Sequence, residues 1–337
     1  MLIIKFNTGG EFLGILARVL IYGDLHLSSK AYGAHINYQT ESLDILKKVA
    51  DKVEELNPTF VVGLGDFTFY RFHTLEYRMA VENELTRIRN ITNGNHFQLK
   101  GNHDSASYGM TEFDYYIKNG YMRPAANVSI GNVNINMVNY GETLDTDVNI
   151  GEIDKSINII LAHDYLSFSD AKLPNYGDPI MLDNFEKWFG VDYIICGHIH
   201  KHELFEGLML KEVNGQSIGH RVLVNYPGAM TRPAFREGHM DLEGHMVMLD
   251  INDDGTIKYE DVIVPLLPLD QSFNLDAKAA EKEAKAEKKR KLDILDIVKN
   301  LDEKERNVGN PEEIILSMNV DYKYKEKAIE LLKLGKD

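Results

Sequence analysis

Seven residues of three chemical kinds, together with two neighbours, stand out by type and spacing. They are Asp24 and His26 in Gly-Asp-Leu-His, Asp66 in Gly-Asp, Asn102 followed by His103 and Asp104 in Gly-Asn-His-Asp, His163, and His198 with His200 in Gly-His-Ile-His. An Asp and a His two apart in an extended segment point the same way, because side-chain direction there has a period of two, and the same holds for His198 and His200. Each pair can therefore present two donors to one place. Carboxylate, imidazole and amide oxygen together suit Mn²⁺, Fe or Zn²⁺, whereas all-oxygen sets suit Mg²⁺ or Ca²⁺. Seven donors exceed what one ion needs once room is left for water. A two-metal site, with ions about 3.5–4 Å apart and one bridging carboxylate, uses them economically. Taken singly, Asp-x-His is common and Gly-Asp after a strand is usually a turn. Gly-Asn-His-Asp and Gly-His-x-His are more telling, and the ordered set is the signal.

The elements that must position these residues are visible as apolar runs. ARVLIYGD (17–24), TFVVGLGD (59–66), HFQLKGNHD (96–104), NIILAHD (158–164) and DYIICGHIH (192–200) each end in a polar cluster. Residues 40–57 read as a helix, with Leu43, Leu46, Val49, Val53 and Leu56 three or four apart, and Pro58 stops it. A second helical segment spans roughly 75–89, and VNINMVNY (133–140) alternates like a half-buried strand. Strands separated by helices predict βαβ units in an α/β sandwich, with ligands just beyond the carboxyl ends of the strands. After His200, RVLVNYPG, GHMVMLDI and TIKYEDVIVPL read as antiparallel strands completing a second sheet, with a turn at Asp253-Asp254-Gly255. Residues 1–17 read as an N-terminal hairpin extension.

The 337 residues allow one large catalytic domain and an appendage. A single cysteine, Cys196, excludes a disulfide scaffold and fits a reducing compartment. Met1 to Tyr22 is interrupted by Lys5, Glu11 and Arg18, without the basic start of a signal peptide or the length of a membrane span, so no membrane partner and a cytoplasmic location are expected. Lys and Arg number 37 against 52 Asp and Glu, a net charge of −15 that argues against unaided nucleic-acid binding. Bound cations or a basic partner would supply the missing grip. Residues 276–337 are balanced, with 15 basic and 15 acidic side chains, so the excess lies in residues 1–275. The run at 276–291 is a charged helical linker without an apolar stripe. Beyond it, Leu292, Leu295, Val298 and Leu301 form a stripe, and short helices near 311–318 and 324–334 complete a small module over 292–337.

The ordered motifs resemble the calcineurin-like metallophosphoesterase superfamily over about residues 18–265. Within it, LKGNHD and the later Asn225-Tyr226-Pro227-Gly228-Ala229-Met230-Thr231-Arg232 resemble the SbcD-type nuclease subunits of DNA-repair complexes. The resemblance implies a two-sheet αββα sandwich over residues 1–270, a linker over 271–291 and a C-terminal helical tail. It implies one ion held by Asp24, His26, Asp66 and His200, and a second by Asp66, Asn102, His163 and His198, with Mn²⁺ the preferred metal. It implies that His103 protonates the leaving oxygen and that Asp104 orients its ring. Two departures stand beside it. Many relatives carry an acidic or histidine residue three positions after the bridging Asp, where this chain has Phe69, with His73 four further on. Cellular relatives also carry a sizeable DNA-capping domain that has no counterpart after Asp270. The expected function is a Mn²⁺-dependent DNA exo- or endonuclease subunit in repair, recombination or replication. Its expected partners are DNA, an SbcC-type ATPase gripped by the C-terminal helices, and a second copy meeting through helices near 75–90 or 111–119. The alternatives are a stand-alone phosphodiesterase or phosphatase on a small phosphoester, and a non-catalytic subunit with a relic site.

Overall fold

The computed structural model describes residues 14–289 apart from 31–34, 70–71, 107–108, 145, 147, 152–154, 170–172, 174–175, 184, 233–242, 277–278 and 281, and scattered positions between 312 and 330. Residues 1–13 and the 292–301 stripe lie outside the described residues. Strands and helices follow in the order β1 (Ile15–Tyr22), α1 (Tyr38–Leu56), β2 (Phe60–Gly63), α2 (Leu75–Ile91), β3 (His96–Gln98), α3 (Glu112–Lys118), β4 (Arg123–Pro124), β5 (Val128–Ile130), β6 (Val133–Val138) and β7 (Ile157–His163). Then come β8 (Leu166–Ser167), β9 (Ile180–Met181), a 3₁₀ turn at Glu186–Trp188, β10 (Tyr193–Gly197), β11 (Glu203–Val213), β12 (Gln216–Tyr226), β13 (Glu243–Asn252), β14 (Ile257–Pro265) and α4 (Leu269–Ser272).

Two six-stranded sheets result, in the orders β14-β13-β1-β2-β3-β4 and β11-β12-β10-β7-β6-β5. In the first, β1, β2, β3 and β4 run parallel, with β13 antiparallel to β1. In the second, β6, β7, β10 and β12 run parallel. Period-two alternation assigns the faces. Val19 and Ile21 of β1 join Phe60, Val62, Ile159, Leu161 and Ile195 in a core between the sheets, while Leu20 and Tyr22 join the apolar faces of α1, α2 and α3 on the outside. The outer face of the second sheet packs against Trp188, Leu182 and Tyr165 of the connections around the 3₁₀ turn.

One expectation is corrected. The runs after His200 do not all complete a second sheet. β11 and β12 extend the second sheet, but β13 and β14 return to the first, where β13 pairs along β1 from Tyr22 to Ile15. The Asp253-Asp254-Gly255 turn joins β13 to β14 as read, with Gly255 at φ 82°.

The chain divides into two compact units, residues 1–273 and 274–337. In the second, residues 282–289 are helical and exposed, as a run of Ala, Lys and Glu without an apolar stripe dictates. Among the described residues no helix is long and apolar enough to cross a membrane.

Candidate metal centre

The parallel strands end level with one another. Tyr22 pairs with Gly63 and Gly63 with Gln98 in the first sheet, and Gly197 pairs with His163 in the second. The loops just beyond these ends, carrying Asp24 and His26, Asp66, Asn102 and His103, and His198 and His200, therefore open at one edge of the sandwich. Three of the donor residues leave their strands through the left-handed backbone region, His26 at φ 45°, Asp66 at 43° and His198 at 81°. That region costs a non-glycine residue free energy and is typically held only where the surroundings fix it.

The structure brings together all seven sequence-predicted donors. Donor atoms of Asp24, His26, Asp66 and His200 lie within 4.8 Å of one another, and so do those of Asp66, His163 and His198. Asp66 is common to both groups. Its Oδ1 lies 3.4 Å from His163 Nε2 and its Oδ2 3.8 Å from His26 Nε2. The His26 and His200 Nε2 atoms are 3.0 Å apart, and His200 Nε2 is 3.6 Å from Asp24 Oδ2. Asn102 Oδ1 faces the second group, 3.1 Å from His163 Nε2 and 3.0 Å from His198 Nδ1. His163 Nδ1 donates to the Leu64 carbonyl at 2.8 Å, which turns Nε2 toward Asp66. A ligating histidine is commonly fixed through its other nitrogen in this way. Gly101 leaves the room: a Cβ there would lie 2.1 Å from Asp66 Oδ1.

The electrostatics fit cations. Burial pushes the Asp24 carboxyl well above its usual range, with His163 opposing and the Asp66 charge adding. Burial works on Asp66 in the same direction, but His163, His26 and His103 outweigh it and hold this carboxyl low. Burial drives His26 well down, and burial with His163 drives His198 to about 4. Burial would also lower His163, yet Asp24 and Asp66 lift it to about 9. Two buried carboxylates, with His26 and His198 driven toward the neutral form and His163 toward the charged one, form a donor set in which two divalent ions sharing Asp66 would supply the positive charge that the His163 proton otherwise gives.

The remaining predicted residues divide. His103 is exposed at the rim. Its N–H donates to Asp66 Oδ1 at 2.8 Å, and its ring stacks on Phe69 and meets His26 edge-on. Asp104 does not orient that ring. Its oxygens accept from the Phe67 N–H at 3.1 Å, the Thr68 N–H at 2.8 Å, the Thr68 hydroxyl at 3.0 Å and the Gly101 N–H at 3.0 Å. Asp104 thus pins the Asp66 loop to the Asn102 loop, and a buried carboxylate surrounded by donors does that work well. Burial and the nearby Asp66 charge lift its carboxyl to about 7. His73 is a structural histidine outside both donor groups, bonded through Nε2 to the Leu27 carbonyl at 3.0 Å.

Sequence reading missed the clamp behind Asp24. Gly228 lies between two donor loops: a Cβ on Gly23 would come within 2.0 Å of the Gly228 carbonyl oxygen, and one on Gly228 within 3.0 Å of the His200 carbonyl oxygen. Met230 N–H donates to the Asp24 carbonyl and the Thr231 hydroxyl to the Leu25 carbonyl, both at 2.8 Å. The Tyr38 hydroxyl donates to the His26 carbonyl at 2.9 Å. The signal was the Tyr-Pro-Gly segment itself, which sequence alone could flag but not dock.

Residues 17–202, 186 of the chain's 337, match the family model of the calcineurin-like phosphoesterases. No curated protein matches the chain. Among solved structures it is similar to a dimetal phosphatase from Danio rerio, at 12% identity and a TM-score of 0.42, over 75% of this chain and 100% of that one.

Proposed function

The chain belongs to the calcineurin-like phosphoesterase family and is a metal-dependent phosphoester hydrolase, and within that class we propose that it is a Mn²⁺-dependent DNA nuclease subunit acting with an SbcC-type ATPase. The observation that carries the narrower reading is the Tyr226–Arg232 segment, whose sequence resembles the SbcD-type subunits and whose backbone braces the Asp24 and His200 loops. The rim adds support. Tyr140 is 43% exposed with its ring 5.7 Å from that of His198, an aromatic face of the kind on which a nucleobase stacks for about 1–3 kcal/mol.

Divalent cations held by Asp24, His26, Asp66, Asn102, His163, His198 and His200 would supply Lewis acidity toward phosphate and water, and Mn²⁺ suits the mixed oxygen and nitrogen donors. The chain's own residues do the rest. Asp66 orients His103 through the backbone N–H, and Phe69 supports the His103 ring, which delivers a proton to the leaving oxygen. A body that carries the whole −15 needs a partner to hold DNA, and residues 292–337, whose sequence reads as short helices with an apolar stripe, would dock on the coiled-coil root of the ATPase.

The test is metal content together with cleavage of linear duplex DNA by the purified full chain, with and without the ATPase. Two ions per chain and Mn²⁺-dependent DNA cleavage stimulated by the ATPase are expected. Hydrolysis of a small phosphoester with no action on DNA would overturn the nuclease reading in favour of a stand-alone phosphodiesterase or phosphatase.

A further inference from the structure

We propose that His202, His245 and Asp261 form a separate cation site for a borderline transition-metal dication such as Zn²⁺. The three come from distant parts of the chain. His202 lies in the turn after β10, two residues past His200. Its backbone is fixed by close approach, since a Cβ on Gly228 would lie 2.9 Å from the His202 nitrogen. His245 is on β13 and Asp261 on β14, where Val247 pairs with Asp261 and His245 with Ile263. His245 and Asp261 are therefore diagonal neighbours on one face of the ladder. That face carries Val247 and Tyr259 into the core between the sheets, so the pair sits at the inner rim of the first sheet.

Donor atoms of all three residues lie within 4.8 Å of one another. His245 Nδ1 is 3.0 Å and 3.3 Å from the two Asp261 oxygens, and the His202 and His245 rings lie with centroids 3.9 Å apart. Zn²⁺ binds imidazole nitrogen and carboxylate oxygen at about 2.0–2.2 Å, which puts neighbouring donors roughly 3.3 Å apart around a tetrahedral ion. Two imidazoles and one carboxylate also match the ligand preference of zinc and its neighbours over Mg²⁺ or Ca²⁺. The side chains of His245 and Asp261 are 15% and 33% exposed, enough for an ion to enter and to keep water on its open positions. None of the three belongs to the Asp66-centred groups. An ion here would tie β13 and β14 of the first sheet to the turn that carries His198 and His200 from the second.

The experiment is equilibrium dialysis of the full chain against buffered Zn²⁺, with bound metal counted by mass spectrometry. Wild type is expected to hold one more Zn²⁺ per chain than His245→Ala and than the conservative Asp261→Asn. Asp66→Ala, which removes the shared carboxylate of the other centre, is expected to retain this ion and to lose it when His245→Ala is added. Equal zinc in wild type and Asp261→Asn would overturn the proposal and leave an ion pair beside a ring contact. Complete loss of zinc from folded Asp66→Ala would overturn it too, because every ion would then belong to the Asp66 centre.

Discussion

The Phe69 ring lies over that of His103, with centroids 4.9 Å apart and planes 19° from parallel. Many relatives of the kind this sequence resembles have a polar side chain at that position, so here apolar stacking does the work of holding the exposed imidazole. Such an aromatic pair contributes about 0.5–1.5 kcal/mol beyond its buried area. Phe69→Ala is therefore expected to lower kcat roughly 2- to 10-fold with metal stoichiometry unchanged, while Phe69→Tyr keeps near-normal turnover. Steady-state kinetics beside a metal count checks both; loss of metal from Phe69→Ala would show that the ring supports the centre itself.

His103 and Asp66 should fail in different ways. The His103 ring joins neither donor group, so His103→Ala is expected to keep both ions and lose about 10²–10⁴ in cleavage rate, the usual worth of a general acid. Asp66 belongs to both groups, and without it two cations would face each other with no shared anion. Asp66→Ala is expected to lose metal. Dialysis and single-turnover cleavage on the two variants separate the roles, and two ions on Asp66→Ala would contradict the assignment of Asp66 as the bridge.

What could be read ahead of the structure follows from where the information lies. Asp24, Asp66, Asn102, His163 and His198 each sit within a few residues of an apolar run, so local periodicity placed them at strand ends, and the parallel strands of βαβ units placed those ends at one edge. The destination of β13 and β14 was not local. It depends on pairing Leu249 with Val19 across some 230 residues, and alternation along a strand does not say which sheet it joins. Asp104 departs from the role the resemblance implied, that of a carboxylate orienting the His103 ring. In a tight turn, neighbouring side chains diverge, and this one bonds the Thr68 and Gly101 amides. The Tyr38–Thr231 clamp joins residues 193 apart and carries no motif of its own.

Gly228 is the point where backbone crowding meets metal binding. It adopts φ 82°, and a Cβ would press on backbone atoms of His200, Lys201 and His202 at 2.9–3.1 Å. A left-handed conformation alone costs a residue with a Cβ about 1–2 kcal/mol. Gly228→Ala is expected to weaken metal binding by roughly tenfold or more, since about 1.4 kcal/mol is a factor of ten, as measured by Mn²⁺ titration. Tenfold tighter binding or no change would show that the His200 turn is positioned by other contacts.

The C-terminal stripe, which lies outside the described residues, gives a prediction that follows from the proposed docking on the ATPase. If the stripe docks as proposed, Leu295→Glu with Val298→Glu would bury carboxylates in an apolar contact, which costs several kcal/mol unless they are neutralised. ATPase-stimulated cleavage of duplex DNA is expected to fall while metal-dependent cleavage by the chain alone persists. Unchanged co-purification with the ATPase would remove the docking role, and unfolding of the chain alone would return the stripe to its own core.

The clamp segment ends in a buried ion pair that makes stability depend on pH. Arg232 donates to Glu41 Oε1 at 3.1 Å and to the Ser272 hydroxyl at 2.7 Å, joining the Met230–Thr231 clamp to the first turn of α1. Burial alone would raise the Glu41 carboxyl, but His35, Arg232 and Ser272 hold it below its ordinary 4.5. A folded-state value below the unfolded one contributes stability that is fully present above about pH 4.5. That contribution is lost as the pH falls through the folded value. Glu41→Gln is therefore expected to lower Tm at pH 7, and its deficit relative to wild type should shrink toward pH 3. Arg232→Met should cost more, about 3–5 kcal/mol at pH 7, because it leaves a buried carboxylate without its guanidinium. Its deficit too should narrow in acid, once Glu41 is protonated. Thermal melts of the three proteins across that range decide the matter, and parallel Tm curves would mean that Glu41 titrates alike in the folded and unfolded chain.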